Sequence, residues 1–259
     1  MKKAILVVAA LYIIVSILFI IVIDQPEPEV MDFAIRVFGS VSIGPVTVLI
    51  TETMLVTWIV MAVLIAFAIY VRRKSKNWNA HTKPSGLQNA MEFAVDAFTG
   101  LVKGNAGEKM VHLAPWLFTL FAFLIVSNLI GVTGLRPPTA DWGMTFPLAF
   151  SSFILFQYAG LKNRPKAYLK SIFLEPVFVF APLNIIGEIA RPVSLSFRLF
   201  GNILGGMILL SLLYGMAPIF LQLVFPIALH MYFDLAAGIL QAFIFTMLTI
   251  AIIGVNGGE

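Results

Sequence analysis

Cysteine is absent from the chain, which excludes disulfides, iron–sulfur clusters and thiolate metal sites. Histidine is scarce: His81, His112 and His230 are too few and too scattered for a multi-haem bundle. No G-x-x-x-x-G-K-[ST] stretch occurs, so the chain cannot cradle a nucleotide phosphate in a P-loop by itself. Charge is scarce too. Only 12% of residues are charged, where a soluble domain carries about 25%. The basic residues follow apolar segments and do not alternate with aromatics, which argues against nucleic acid as a partner.

What is present in abundance is apolar. Hydrophobic residues make up 60% of the 259, and mean hydropathy is +0.97. Such a chain is an integral membrane protein, and its length suits one helical bundle. Hydropathy predicts six spans: Ala4–Ile23, Leu49–Val71, Leu113–Gly134, Phe146–Leu161, Pro192–Tyr214 and Ile219–Val255. The fourth is short for a bilayer and the last is long enough to tilt strongly.

Orientation follows from the basic residues. Of the 17 Lys and Arg, 14 lie in one set of loops, among them Arg72, Lys83, Lys109, Lys166 and Arg191. The opposite set holds Arg36 and Arg136, and Arg198 alone lies inside a span. The basic side is therefore expected to face the cytoplasm, with the C-terminus there, and the acidic run Asp24, Glu27, Glu29 and Asp32 outside. Residues 1–23 form a membrane anchor or signal-like segment. The apolar body exceeds a usual signal core and no small-x-small site precedes Asp24, which favours an uncleaved anchor.

Two cytoplasmic segments are more than loops. In "PSGLQNAMEFAVDAFTGLVKG" the apolar Leu87, Met91, Ala94, Val95, Phe98, Leu101 and Val102 recur at helical spacing, predicting an amphipathic helix in the interface. "EPVFVFAPLNIIGEIAR" is apolar but carries Pro176 and Pro182, and is expected to be irregular along the cytoplasmic face.

Polar residues inside the spans point to function. Ser194, Arg198 and Asn202 recur every fourth residue and share a helix face. Gly201 and Gly205 remove bulk beside that face and allow close approach of another helix. His230, Asp234, Gly238 and Gln241 form a stripe on the last span, so a cationic and a titratable stripe lie on consecutive helices expected to pack antiparallel. An arginine near the bilayer centre costs roughly 2.5–3.5 kcal/mol on insertion scales. Arg198 enters its span by about six residues, roughly 9 Å at the helical rise, so its side chain could still reach the interface. Asp234 could be a neutral, hydrogen-bonded acid, and Asn202 and Gln241 interhelical glue. Taken together, an arginine, a carboxyl, an imidazole and amides within two helices suggest a pathway for a proton or another ion.

"RPVSLSFRLFGNILGG" with "GILQAFIFTMLTI" closely resembles the C-terminal hairpin of subunit a of F-type rotary ATP synthases. "PSGLQNAMEFAV", "LFAFLIVSNLIG", "RPPTAD" and "APLNIIGEIARP" resemble further stretches of that family in the same order, so the likeness runs from about Ile50 to Ile252. The resemblance implies an all-α membrane protein of about six transmembrane helices, including an extra N-terminal one, with an in-plane amphipathic helix and a tilted C-terminal hairpin facing a ring of c subunits. It implies that residues 24–259 form an ion-translocating stator domain; the cysteine-free chain with its lysine-rich start and loops favours a bacterial plasma membrane over an organelle-encoded version. The implied partners are the c ring, peripheral-stalk b subunits, the ATPase head reached through the complex, and lipid; no cofactor or metal is implied, and the chain is non-catalytic alone. Arg198 matches the essential stator arginine, which forces a ring carboxyl to release its proton and blocks direct passage between two offset half-channels. Asn202, Gln241 and Ser194 fall around it, Glu188 on the cytoplasmic path and Asn128 on the outer path. Nine residues after the arginine the family usually has a carboxylate or histidine; here Met207 cannot titrate, and Gly131 occupies a position acidic in some relatives. Asp234, helped by His230, is expected to take over that role. The competing class is a self-contained secondary transporter, which usually shows two related halves; R-L-F-G-N has no counterpart in the first half.

Overall fold

The computed structural model describes residues 36–43, 46–76, 78, 84–173, 178–216, 225 and 228–257. The expected first span and the acidic run lie outside the described residues. The first described element is one not anticipated. Strands β1 (Val37–Ile43) and β2 (Val46–Thr51) pair antiparallel, from Ile43 against Val46 to Val37 against Thr51, with an irregularity between Val37 and Gly39. The segment is rich in Val, Ile and Thr, whose branched side chains favour strands. Leu49 and Ile50, expected to open the second span, belong to this hairpin.

Helix α1 (Glu52–Ser75) follows at once. Thr51 Oγ1 accepts the Met54 amide at 3.3 Å, Glu52 lies in the first turn, and Arg72, Arg73 and Lys74 lie in the last. Both ends thus complement the helix dipole. Only the first turns of α1 are buried, through Thr53, Val56, Thr57 and Val60. Farther along, Val63, Ile65, Phe67 and Ile69 are exposed, as suits a helix bathed in lipid.

Helix α2 (Gly86–Ala106) is the predicted amphipathic helix, capped by Ser85. Its second half docks on protein: Phe98 packs edge-on against Phe118 and tilted against Phe121, and Val102 and Ala106 are buried. Phe93 and Val95 stay exposed. A positive φ of 80° at Gly107 ends the helix. The chain then crosses back as a 3-10 segment, Glu108–Leu113, helix α3 (Ala114–Leu129) and a second 3-10 turn, Ile130–Thr133.

Helix α4 (Trp142–Asn163) is longer than the span expected. Asp141 starts it four residues early: its Oδ1 accepts the Gly143 amide at 2.8 Å, and its Oδ2 accepts the Thr53 hydroxyl at 2.9 Å, tying α4 to α1. The short α5 (Pro165–Phe173) leads to a 3-10 turn, Phe178–Phe180, and to α6 (Ala181–Met216), 36 residues long. Here the structure corrects the expectation of an irregular approach: from Ala181 onward the segment is helical. Pro182 occupies the first turn, where its missing N–H has no intrahelical acceptor to serve. Pro192 lies inside the helix and leaves the Glu188 carbonyl without its usual donor. The last span runs over Ala228–Gly257, with a π-helical turn at Met231–Ala237 and helix α7 at Gly238–Gly257.

Five described helices are long and apolar enough to cross a membrane. The core lies where α3, α4, α6 and α7 meet, and centres on Leu117, Leu124, Phe156, Leu199, Phe245 and Ile253. Asn256 reaches the Phe156 carbonyl at 3.4 Å and Arg191 at 3.5 Å, so the end of α7, the end of α4 and the start of α6 share one end of the bundle. Asn128, by contrast, reaches Gly238 at the opposite end. The basic loops and the two isolated arginines of the sequence are thereby separated along the helices.

Glycine spacing sets how closely α2 and α7 approach. A Cβ on Gly254 would strike the Asn105 carbonyl and lie 3.1 Å from the Ala106 Cα. Gly100, on the same α2, has open space where a Cβ would stand. Gly254→Ala should destabilise the purified subunit by about 1–3 kcal/mol through overpacking. Gly100→Ala should stabilise it by up to about 1 kcal/mol through helix propensity. Thermal unfolding in detergent reads both signs.

Candidate functional site

The polar residues of α6 and the last span fall into three groups along about 35 Å of helix, the length from Arg191 to Tyr214 at 1.5 Å per residue.

At one end the π-turn carries Asp234 inward. His230 Nδ1 lies 2.5 Å from Asp234 Oδ2, and His230 Nε2 lies 3.3 Å from the Tyr214 hydroxyl. With Nδ1–H donating to the carboxylate, Nε2 accepts from Tyr214; a protonated ring donates to both. The Asp234 side chain is 16% exposed and that of His230 42%, so the imidazole faces outward and the carboxylate inward. Both line a cavity of about 330 Å³ whose other walls include Met207, Gly131, Asn128 and the charged Arg36, Glu52 and Arg136. Met207 and Asp234 thus share one chamber. A Cβ on Gly131 would lie 3.6 Å from Asp234 Oδ1 and 3.1 Å from Pro137. The bare glycine leaves room for the carboxylate on the facing helix. Asn128 is buried, with Nδ2 donating to the Gly238 carbonyl at 2.8 Å and Oδ1 accepting from Thr139 at 2.7 Å.

In the middle, Arg198 stands on an exposed face of α6. Among the described residues no hydrogen bond or ion pair reaches its guanidinium. Ser194, Gly201, Asn202, Gly205 and Leu209 share the exposed face. No atom lies within 4 Å of where a Cβ on Gly201 or Gly205 would be. The close approach that these glycines permit is therefore not used by any described helix of this chain. Gly206 is different: a Cβ there would lie 2.8 Å from the Phe233 ring, and this contact seats the π-turn on α6. One turn from Arg198, Asn202 Nδ2 donates to Gln241 Oε1 at 2.6 Å. Gln241 is 2% exposed, and its Nε2 has no partner among the described residues.

At the other end, Glu188 is held from two sides. Arg191 Nη1 lies 2.8 Å from Glu188 Oε1, and Gln157 Nε2 donates to Glu188 Oε2 at 3.3 Å. The Tyr168 hydroxyl donates to Gln157 Oε1 at 2.6 Å. This network borders an open cavity of about 580 Å³ between α5, α6 and the end of α7.

The structure brings Asp234, His230, Asn128 and Met207 together at one end, joins Asn202 to Gln241 near Arg198, and sets Glu188 apart at the far end. Tyr214 and the Tyr168–Gln157 pair went unread in the sequence. Tyr214 had a signal: Ile203, Met207, Leu210 and Tyr214 are spaced by four, three and four, and all line the cavity of Asp234. Tyr168 and Gln157 had none, since their meeting depends on how α5 folds back. A Cβ on Gly160 would lie 2.7 Å from the Tyr168 ring, so that fold needs glycine there.

Burial, and then the nearby Glu188 carboxylate, push the Tyr168 phenol above its ordinary 10.0, against smaller opposing effects of Arg191 and Gln157. A raised folded-state value means that stability from the neutral phenol is fully present below the ordinary value and is lost as pH rises through the raised one. Tyr168→Phe should therefore lose less stability than the parent on alkaline titration, read as melting temperature against pH in detergent. An identical alkaline decline in both would contradict the assignment.

Residues 54–254 match the family described as ATP synthase A chain. The chain is 36% identical over 205 residues to a protein named ATP synthase subunit a from Desulforamulus reducens, covering 77% of each. It is 35% identical over 213 residues to the protein of that name from Moorella thermoacetica, covering 82% of this chain and 92% of the relative. It is 34% identical over 256 residues to "ATP synthase subunit a, sodium ion specific" from Propionigenium modestum, covering 90% of this chain and 83% of the relative.

Proposed function

The chain belongs to the ATP synthase A chain family and serves as an ion-conducting stator subunit of a rotary ATP synthase; we propose that it does so with two half-channels that end on either side of Arg198. The observation that carries this reading is the Arg198 face itself: an exposed cation in an apolar helix, flanked by open glycines, with no described partner in its own chain. A ring of c subunits supplies the missing carboxylates. A ring carboxyl arriving at Arg198 ionises, because a fixed cation lowers the pKa of a nearby acid. Reprotonated, it can re-enter lipid, where a charge would be costly. Asn202, braced by Gln241, and Ser194 border the contact.

The outer half-channel runs through the cavity of Asp234. His230, the more exposed partner, exchanges protons with water and Tyr214, and Asp234 passes them inward. The inner half-channel opens at Glu188, whose carboxylate is kept in place by Arg191 and Gln157. The positive-inside rule puts the Glu188 end and the C-terminus in the cytoplasm. Asn128 contributes through its hold on the last span and not as an ion carrier. Peripheral-stalk b subunits and the ATPase head complete the complex, in a bacterial plasma membrane.

Arg198→Ala should abolish ATP synthesis and let protons leak passively through vesicles stripped of the head. Arg198→Lys should also fail at synthesis but leak less, because lysine keeps a cation without the planar five-donor fork. Near-normal synthesis with lysine would return Arg198 to an interfacial charge and remove the half-channel reading. Asp234→Asn should assemble but pump protons much more slowly. Met207→Glu in that background should restore part of the rate, since both side chains border one chamber. Parental pumping by Asp234→Asn vesicles would contradict the outer path.

A further inference from the structure

A π-turn is rare and holds one residue more than the α-helical turn it replaces. It can anneal to α-helix by sliding one residue, which would turn the segment by about 100° (360° over 3.6 residues). In this chain that segment is Met231–Ala237, and it carries Asp234. A slip would swing the carboxylate off the wall of the outer cavity. Something has to hold the register.

We infer that Asn128 and Thr139 are a positioning pair that locks the Asp234 turn in register, and that Asn128 does not itself carry the ion. The inference rests on the outer path through Asp234. Three observations support the lock. Gly238, the residue immediately after the π-turn, is clamped by Asn128: Nδ2 donates to its carbonyl at 2.8 Å, and a Cβ on Gly238 would lie 3.0 Å from the Asn128 Cβ. A side chain there would press on Asn128, so the contact is closest with the glycine that follows the π-turn, and Ala237 or Ile239 would crowd it. Asn128 is itself fixed by the Thr139 hydroxyl at 2.7 Å, from a 3-10 turn, Pro138–Ala140, that is buried throughout. Finally, Asn128 is 1% exposed and Thr139 0%. Both ends of the amide are engaged, so an ion passing along it would first have to break buried hydrogen bonds, each costly to leave unmade. The clamp therefore acts on Asp234 through the backbone of α7.

The absence of native cysteine makes the test direct. Asp234→Cys is placed in the assembled complex in right-side-out membrane vesicles, and its rate of modification by an impermeant thiol reagent added outside is measured. Thr139→Val removes the donor to Asn128 at nearly constant volume and should slow that modification by about tenfold, the equivalent of one buried hydrogen bond. Thr139→Ser keeps the hydroxyl and should hold the parental rate. Met207→Cys, on the opposite wall of the same cavity, should change by less than roughly twofold with Thr139→Val, as a site outside the clamp. If the Thr139→Val complex does not assemble, Gly238→Ala, which wedges Asn128 away from α7, takes its place with the same expectations. An unchanged rate at Asp234→Cys overturns the inference. So does an equal fall at Asp234→Cys and Met207→Cys, the signature of a residue that lines the water path itself. Either result would leave Asp234-dependent pumping intact, whereas failure of the outer path would show as normal pumping by Asp234→Asn with the labelling pattern unchanged.

Discussion

A guanidinium that cannot lose its charge stands on an apolar helix with no described partner in its own chain, and the rest of the architecture is arranged around it. Placing such a charge in a bilayer costs several kcal/mol unless something answers it. The chain answers it only by leaving space. Gly201 and Gly205 keep the helix surface low, Ser194 and Asn202 make that surface polar, and Gln241 anchors Asn202 from behind. The buried side of the same helix, with Leu195, Leu199 and Ile203, is ordinary core. One helix thus has a face packed within this chain and a face that no described helix of this chain covers.

The separation of the two polar ends follows from the same constraint. Were water continuous past Arg198, the charge would be hydrated and would lose its hold on a carboxylate. Leu124, Phe156, Leu199 and Phe245 are buried in the core of the bundle, and none of them lines the cavity of Asp234 or that of Glu188. Asp234 and Glu188 each have a local partner on their own helix: an imidazole at i−4 for Asp234, an arginine at i+3 for Glu188. Met207, on the wall it shares with Asp234, cannot titrate, and Gly131 leaves room beside the Asp234 carboxylate.

Much of this was legible in the residues. Long apolar runs marked the spans, the fourfold spacing of Ser194, Arg198 and Asn202 marked one face, and the apolar periodicity of residues 86–106 marked the in-plane helix. The failures have physical causes. Pro182 suggests a break but sits in a first turn, and the helix expected to begin at Pro192 begins at Ala181, with Pro192 inside it. Leu49, Ile50 and Thr51 continue the apolar run of the second span in hydropathy, yet they end a hairpin whose β-branched residues favour strands. Other pairings are invisible to any pattern: the two hydrogen bonds of Asn128 join it to residues 11 and 110 positions away. Such long-range pairing leaves no local trace in spacing or hydropathy.

The measurement closest to the central claim is contact between the Arg198 face and the rotor. Single Ser194→Cys, Asn202→Cys and Leu209→Cys substitutions, each combined with a thiol placed beside the ring carboxylate, should give subunit a to ring cross-links in the assembled complex. Leu195→Cys, Leu199→Cys and Ile203→Cys, on the buried side, should give almost none. Equal yields from the two sets, or yield from the buried set alone, would show that the exposed arginine face does not meet the ring.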